Sequence, residues 1–247
     1  MDYQAVILAA GLGSRLHQHT KEKPKPLLMV NNYPIIDYQL SALANNNITN
    51  VIIVTGYKHK VLKKYLNNKW SKKINISFVH NEVYSETNSA YSLYLAKEKI
   101  NMEFYIHLNC DTIFSDVIIS ELLNSDCENQ IVVDRSLGLE NNMEQVRIDD
   151  SGRIIKMDNM YDYKAVGKAM GLAKINQNSL KRILKKINHY HKLKNYKSNY
   201  YGIIREIVSD CEFYSFESKK GLIVDINNQA ELNVAEKKIK NFRSLKC

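Results

Sequence analysis

The first half of the chain alternates short runs of β-branched and apolar residues with longer amphipathic stretches. That rhythm builds βαβ units, and it commits a chain to a parallel sheet buried by helices on both faces. Ala5–Ala9, Val51–Thr55, Ile74–Val79 and Phe104–Leu108 are the strands this reading predicts, with helices over Pro34–Asn45, Lys58–Asn67 and Asn88–Lys99. After Ser125 the pattern changes to β-rich segments at Ile131–Asp134, Gln145–Ile148 and Ile154–Met157, the last two joined by an Asp149–Gly152 turn, which suggests an inserted antiparallel lobe. A strand over Ala169–Ile175, helices over Gln177–Leu193 and Tyr200–Val208, a strand over Leu222–Ile226 and a helix over Gln229–Asn241 complete the expectation. The fold class is therefore α/β: a Rossmann-like mixed, mostly parallel sheet flanked by helices, with a small antiparallel β lobe. With 247 residues, 45% apolar content and only 3 prolines and 9 glycines, one domain is expected. Its parts are a core over 1–125, a second part over 126–220, and a closing strand and helix over 221–247.

Leu8-Ala9-Ala10-Gly11-Leu12-Gly13-Ser14-Arg15-Leu16 follows the first strand directly, so its glycines fall at the carboxyl edge of the sheet, where α/β folds bind ligands. Gly11 and Gly13 remove side chains where backbone N–H groups must approach phosphate oxygens, and Ala9 and Ala10 leave room for a flat base or ribose. Arg15 adds a cation. Lys25, stiffened between Pro24 and Pro26, can hold an ammonium over the same phosphates. The third glycine of a dinucleotide fingerprint and the Gly-Lys-Ser/Thr of a Walker loop are both absent from this stretch.

This combination resembles the signature of the sugar-phosphate nucleotidyltransferase family, which has a Rossmann-like core. Asn81 and the segment Thr87-Asn88-Ser89-Ala90-Tyr91-Ser92-Leu93 are similar to the small cytidylyltransferases of the phosphocholine and aminoethylphosphonate type. Asp134-Arg135, Met143 and Gly171-Leu172 resemble the acceptor lobe of that branch. The resemblance implies transfer of CMP from CTP to a small phosphorylated acceptor, a Mg²⁺ cofactor, and a role in cell-surface polysaccharide biosynthesis. It implies that Asn88 and Ser92 hold the nucleotide, that Gly56 and Tyr57 border the base, and that Asp134, Arg135, Gly171 and Tyr200 serve the acceptor.

Two strand-end carboxylates, Asp111 and Asp225, are candidate Mg²⁺ ligands, since Mg²⁺ takes oxygen donors and keeps several waters. Their pairing is what the resemblance implies. Each also stands where it could instead cap the helix that follows, and Asn88 has the same second reading. Asn109 occupies a place where many relatives are acidic. Gly202, after Asn199-Tyr200-Tyr201, replaces an acidic residue of choline-type relatives, so an anionic acceptor using Arg205 or Lys168 stays open beside a cationic one. A sugar-1-phosphate nucleotidyltransferase using dTTP, UTP or GTP, and a nucleotide-binding module without turnover, are the alternative readings.

Lys and Arg total 35 against 26 Asp and Glu, a net charge of +9, which favours anionic ligands. The basic residues are scattered among helices with no recognised nucleic-acid module, so no nucleic-acid partner is expected. The four cysteines, Cys110, Cys127, Cys211 and Cys247, form no C-x-x-C pair, and His17, His19, His189 and His191 have no metal-ligand company. The N-terminus beginning Met1-Asp2 has no basic n-region or long apolar run, so the expectation is a cytoplasmic protein without membrane attachment. Monomer and homodimer are both open.

Overall fold

The computed structural model describes residues 2–242, the His17 side chain excepted. Met1, Cys247 and that histidine side chain therefore lie outside the described residues.

Alternating burial along β1 (Tyr3–Ala9) explains the central architecture. Val6 and Leu8 enter one core while Ala5, Ile7 and Ala9 enter another, so both faces must be covered. β1 lies between β4 (Asn50–Thr55) and β6 (Phe104–Asn109), parallel to each, and β5 (Asn75–His80) pairs in parallel outside β4. On one face pack α2 (Ile35–Asn45), α3 (His59–Lys69) and α5 (Asp116–Leu123); on the other pack α4 (Ser89–Ala96), α6 (Gln177–Lys192) and α7 (Tyr200–Ile207). α1 (His17–Thr20) is one turn that continues the glycine segment.

The antiparallel segments are continuous with this sheet rather than a separate layer. β11 (Gly167–Asn176) pairs antiparallel with β6 at its centre, and β8 (Gln130–Asp134) and β9 (Gln145–Ile148) pair with β11. β10 (Ile154–Asp158) forms the hairpin with β9. The whole is one mixed sheet, parallel on the β1 side and largely antiparallel beyond β6.

Four short strands have no counterpart in the sequence reading. β2 (Met29–Val30) and β3 (Tyr33–Pro34) make a hairpin; β12 (Tyr214–Phe216) runs beside β8; β7 (Thr112–Phe114) pairs with β13 (Ile223–Asp225). Runs of two or three residues carry no detectable period. α8 (Gln229–Asn241) packs Leu232, Ala235 and Ile239 against Val30, Ile113 and Val224, and so fixes the β7–β13 pair to the rest of the molecule. Among the described residues no helix is long and apolar enough to cross a membrane.

Candidate active site

The turn after β1 is built for close approach. The Ala10 carbonyl accepts a hydrogen bond from the Tyr57 N–H at 3.0 Å, and the Gly13 carbonyl accepts from the Leu16 N–H at 3.0 Å and the Thr20 hydroxyl at 3.1 Å. Gly13 has φ +66°, and a side chain there would stand 3.0 Å from Thr20 Cγ2 and 3.3 Å from Lys25 Cβ; glycine is the residue that fits. A side chain at Gly11 would meet no protein atom within 4 Å, because Gly11 faces a cavity of about 310 Å³. Leu8, Ala10, Gly13, Ser14, Arg15 and Lys25 also line that cavity.

Lys25 sits in a short 3-10 turn, Lys25–Leu27, entered through Pro24. Its ammonium is largely buried and lies 2.6 Å from Asp111 Oδ2. The Asp111 backbone carbonyl in turn accepts from the Ile226 N–H at 3.0 Å, which brings the end of β13 alongside. Asp225 is held there by the Thr112 hydroxyl at 2.8 Å and the Lys168 ammonium at 2.9 Å. Burial raises the Asp225 pKa, and the Asp111 charge nearby pushes in the same direction, while Lys168 opposes both. Burial pulls the Lys168 ammonium down, but Asp225 more than reverses this and leaves it above its ordinary value.

Neither aspartate caps a helix. Ser115 occupies the cap of α5 and Asn228 that of α8, which frees both carboxylates for the site. They arrive on the adjacent ends of two paired strands, each balanced by a lysine. No group of three or more His, Cys, Asp or Glu that could hold a metal exists among the described residues. Two carboxylates beside a glycine turn and a cation-lined cavity nevertheless suit Mg²⁺, which commonly takes one or two protein carboxylates and completes its shell with substrate oxygens and water.

On the opposite wall, Asn81, Tyr84, Thr87, Asn88, Ser89 and Ser92 face the cavity. Asn81 Nδ2 donates to Thr87 at 3.0 Å and to Ser92 at 3.2 Å, and its Oδ1 accepts from the Val83 N–H at 3.2 Å. Asn88 both lines the cavity and caps α4, its side chain accepting from the Ser89 N–H, so its two sequence readings coexist. Gly56 and Tyr57 act from behind rather than as lining. A side chain at Gly56 would collide at 2.6 Å with the Ala10 carbonyl and with Tyr84, and the Tyr57 hydroxyl donates toward the Thr20 and Lys21 carbonyls. Ala9 is likewise buried beneath the turn.

The acceptor residues of the sequence reading scatter. Tyr200 is a core side chain, 2% exposed, stacked on His107 with ring centroids 3.6 Å apart; its position at the first turn of α7 turns the ring inward, which corrects its assignment to an acceptor. Asp134 lines a separate hollow with Glu217 and Ser218 and is tied to Ser136, while Arg135 reaches Ser215 and Glu217, so neither joins the main cavity. Gly171 lies under it: a side chain there would meet Thr112 Oγ1 at 2.3 Å and Asn109 Cβ at 2.6 Å. Arg205 is engaged with Glu144, Nε to Oε2 at 3.0 Å. Asn109 lines the cavity, and its Oδ1 accepts from His107 Nε2 at 3.2 Å. Burial drives the His107 pKa down to about 3 and lifts that of Cys110 to about 12, so at neutral pH the histidine is a neutral, weakly basic imidazole and the cysteine a protonated thiol.

Sequence reasoning missed Tyr84 and Asn227. Asn227 Oδ1 accepts from Arg15 at 2.9 Å, and Glu231 accepts from both the backbone N–H and the Nδ2 of Asn227. The Asn227-Asn228 pair ahead of α8 was the available signal, since only one of two consecutive asparagines is needed as the cap.

A family model described as nucleotidyl transferase matches residues 4–145. The chain is 35% identical over 135 residues to a choline-phosphate cytidylyltransferase of Streptococcus pneumoniae, a match covering 51% of this chain and 56% of that protein. It is 36% identical over 138 residues to a CTP:phosphoglutamine cytidylyltransferase of Campylobacter jejuni, covering 53% of each. The matches thus span about half the length of these curated relatives. In three dimensions it superposes on the CTP:phosphocholine cytidylyltransferase structure from Streptococcus pneumoniae with a TM-score of 0.79 at 22% identity, over 97% of this chain and 100% of that one.

Proposed function

Since this chain belongs to the nucleotidyl transferase family, which matches it over residues 4–145, we propose that it transfers CMP from CTP to a small phosphorylated acceptor and releases pyrophosphate. The observation that carries the reading is one cavity in which the glycine turn, Arg15, Lys25 and Asp111 meet, with Asp225 on the neighbouring strand. The cytidylyltransferase relatives support the choice of CTP and of a phosphorylated metabolite such as phosphocholine, aminoethylphosphonate or an amino-acid phosphate.

The N–H groups of the Gly11–Ser14 turn and the two cations take the triphosphate, and the wall from Asn81 to Ser92 takes the base and ribose. Asp111 and Asp225 are the residues that would hold Mg²⁺, which when bound neutralises phosphate charge and orients the reacting groups. An acceptor phosphate oxygen is already anionic, so the protein supplies no general base; it aligns that oxygen with the α-phosphorus, opposite the departing pyrophosphate. Lys25 has two roles in this account. Before substrate it neutralises Asp111, and with substrate its ammonium is placed to stabilise charge on the phosphates. Lys168 performs the first of these services for Asp225.

Incubation with CTP, Mg²⁺ and a pool of phosphorylated metabolites, followed by mass spectrometry, tests the reading: a CMP-linked product and pyrophosphate are expected. A preference for dTTP, UTP or GTP over CTP in pyrophosphate release would replace it with sugar-1-phosphate nucleotidyl transfer, and binding without turnover of any triphosphate would refute transfer altogether.

A further inference from the structure

A second cleft, of about 670 Å³, opens on the side of the molecule where the β2–β3 hairpin faces α3. Its walls are apolar and unusually exposed for such residues: Met29 is 45%, Tyr33 37% and Val61 40% accessible, and Leu27 lines its floor. Lys23, Lys64 and Lys69 stand around it, and its lining contains no Asp or Glu. Pockets of this volume with apolar walls and a few convergent polar groups are the usual form of a small-molecule site.

The charge around the cleft states what that occupant carries. Lys69 is already committed, its ammonium 2.6 Å from the buried Asp37 and close to the rings of Tyr33 and Tyr65. Asp37 also accepts from the Tyr65 hydroxyl at 2.6 Å and the Trp70 indole N–H at 2.7 Å, so this wall is held rigid. Lys23 and Lys64, by contrast, have no carboxylate partner among the described residues. An apolar trough with two unbalanced ammonium groups is complementary to a molecule with an apolar body and an anionic head.

The cleft also touches the machinery of the main site. Lys23 and Leu27 line it, and Lys25, between them in sequence, lines the nucleotide cavity. The segment is short and braced by Leu27 N–H to Pro24 carbonyl at 2.9 Å and Leu28 N–H to Lys25 carbonyl at 2.9 Å, which ties the backbone at Lys25 to the residues that line the cleft.

We propose that the cleft between the β2–β3 hairpin and α3 binds an amphipathic anion, an alkyl or aryl chain bearing a carboxylate or phosphate, and that its occupancy acts on Lys25 through the Pro24–Leu27 turn. The binding half of this proposal is independent of the assigned reaction; the coupling half rests on it. Dodecyl phosphate below its micelle concentration is the probe, titrated calorimetrically against the intact chain, with dodecyltrimethylammonium as the cationic control. Saturable binding of one equivalent is expected for the anion and none for the cation. Val61→Glu and Lys64→Glu, both on the solvent side of α3, should weaken it about tenfold or more while leaving the far-ultraviolet spectrum and the basal rate of pyrophosphate release unchanged. Saturating probe should change the KM for triphosphate in the wild type and not in Val61→Glu. Vesicles containing phosphatidylglycerol distinguish the source: co-sedimentation lost in Val61→Glu assigns the anion to a lipid headgroup, and its absence assigns a free amphiphile. Equal binding of anion and cation, or wild-type affinity in both variants, overturns the site; binding without any effect on KM in a catalytically active enzyme overturns the coupling. An enzyme inactive with every triphosphate would instead count against the reaction, with the calorimetry still deciding the site.

Discussion

Two carboxylates, the fully buried Asp37 and the largely buried Asp225, sit in this molecule under opposite regimes. Asp37 draws its hydrogen bonds from Tyr65, Lys69 and Trp70, within six residues of one another at the end of α3. Asp225 takes one bond from Thr112 on β7 and one from Lys168 on β11, and it feels the charge of Asp111 beside it. The first is a structural knot tied within one stretch of chain; the second is a charge assembled from distant segments beside another of the same sign. Like charges brought together cost stability, and such costs cluster at functional sites.

The comparison breaks most visibly in activity. Lys25→Ala or Asp225→Asn should lower turnover by roughly 10²- to 10³-fold, as removal of groups stabilising phosphoryl charge does, with little change in melting temperature; steady-state pyrophosphate release beside a thermal melt measures both. Asp37→Ala should do the reverse. It strands the Trp70 N–H and the Tyr65 hydroxyl and costs about 2–4 kcal/mol of stability, while turnover per folded molecule is kept. Denaturant titration reads the loss, and a variant as stable as the parent would dissolve the distinction.

The third and smallest effect concerns the support beneath the site. His107, neutral and buried under Asn109, has its pKa lowered to about 3, so the unfolded chain takes up a proton that the folded one refuses. Stability should therefore decline as pH falls from the ordinary histidine range near 6.5 toward 3. His107→Phe should flatten that slope, which chemical denaturation at a series of pH values would reveal.

The parallel half of the sheet was legible because its strands are β-branched runs followed by a glycine turn and amphipathic helices; Ala5–Ala9 and Val51–Thr55 lie within β1 and β4. The glycine turn and its lysine, which line one cavity, were legible for a related reason, since Gly11, Gly13 and Lys25 are local in sequence. What escaped was long-range. Lys168 was visible as a cation, but nothing in its neighbourhood shows that it neutralises Asp225, and the β7–β13 pairing that delivers Asp225 is three residues long. Tyr200 misled because a tyrosine cluster looks the same whether it lines a site or stacks in the core. Only the direction of α7 decides, and it turns that ring onto His107.

The hydrogen bond between Thr112 and Asp225 joins residues 113 apart in the chain. The segments that carry Gly11 through Asp111 are synthesised well before the one that carries Asp225. The pairing of Asp111 with Asp225 therefore rests on contacts between distant segments, completed where α8 seals against β2 and β13 through Leu232, Ala235 and Ile239. Mutations that loosen that seal, far from any ligand, should read out as lost chemistry before they read out as lost binding.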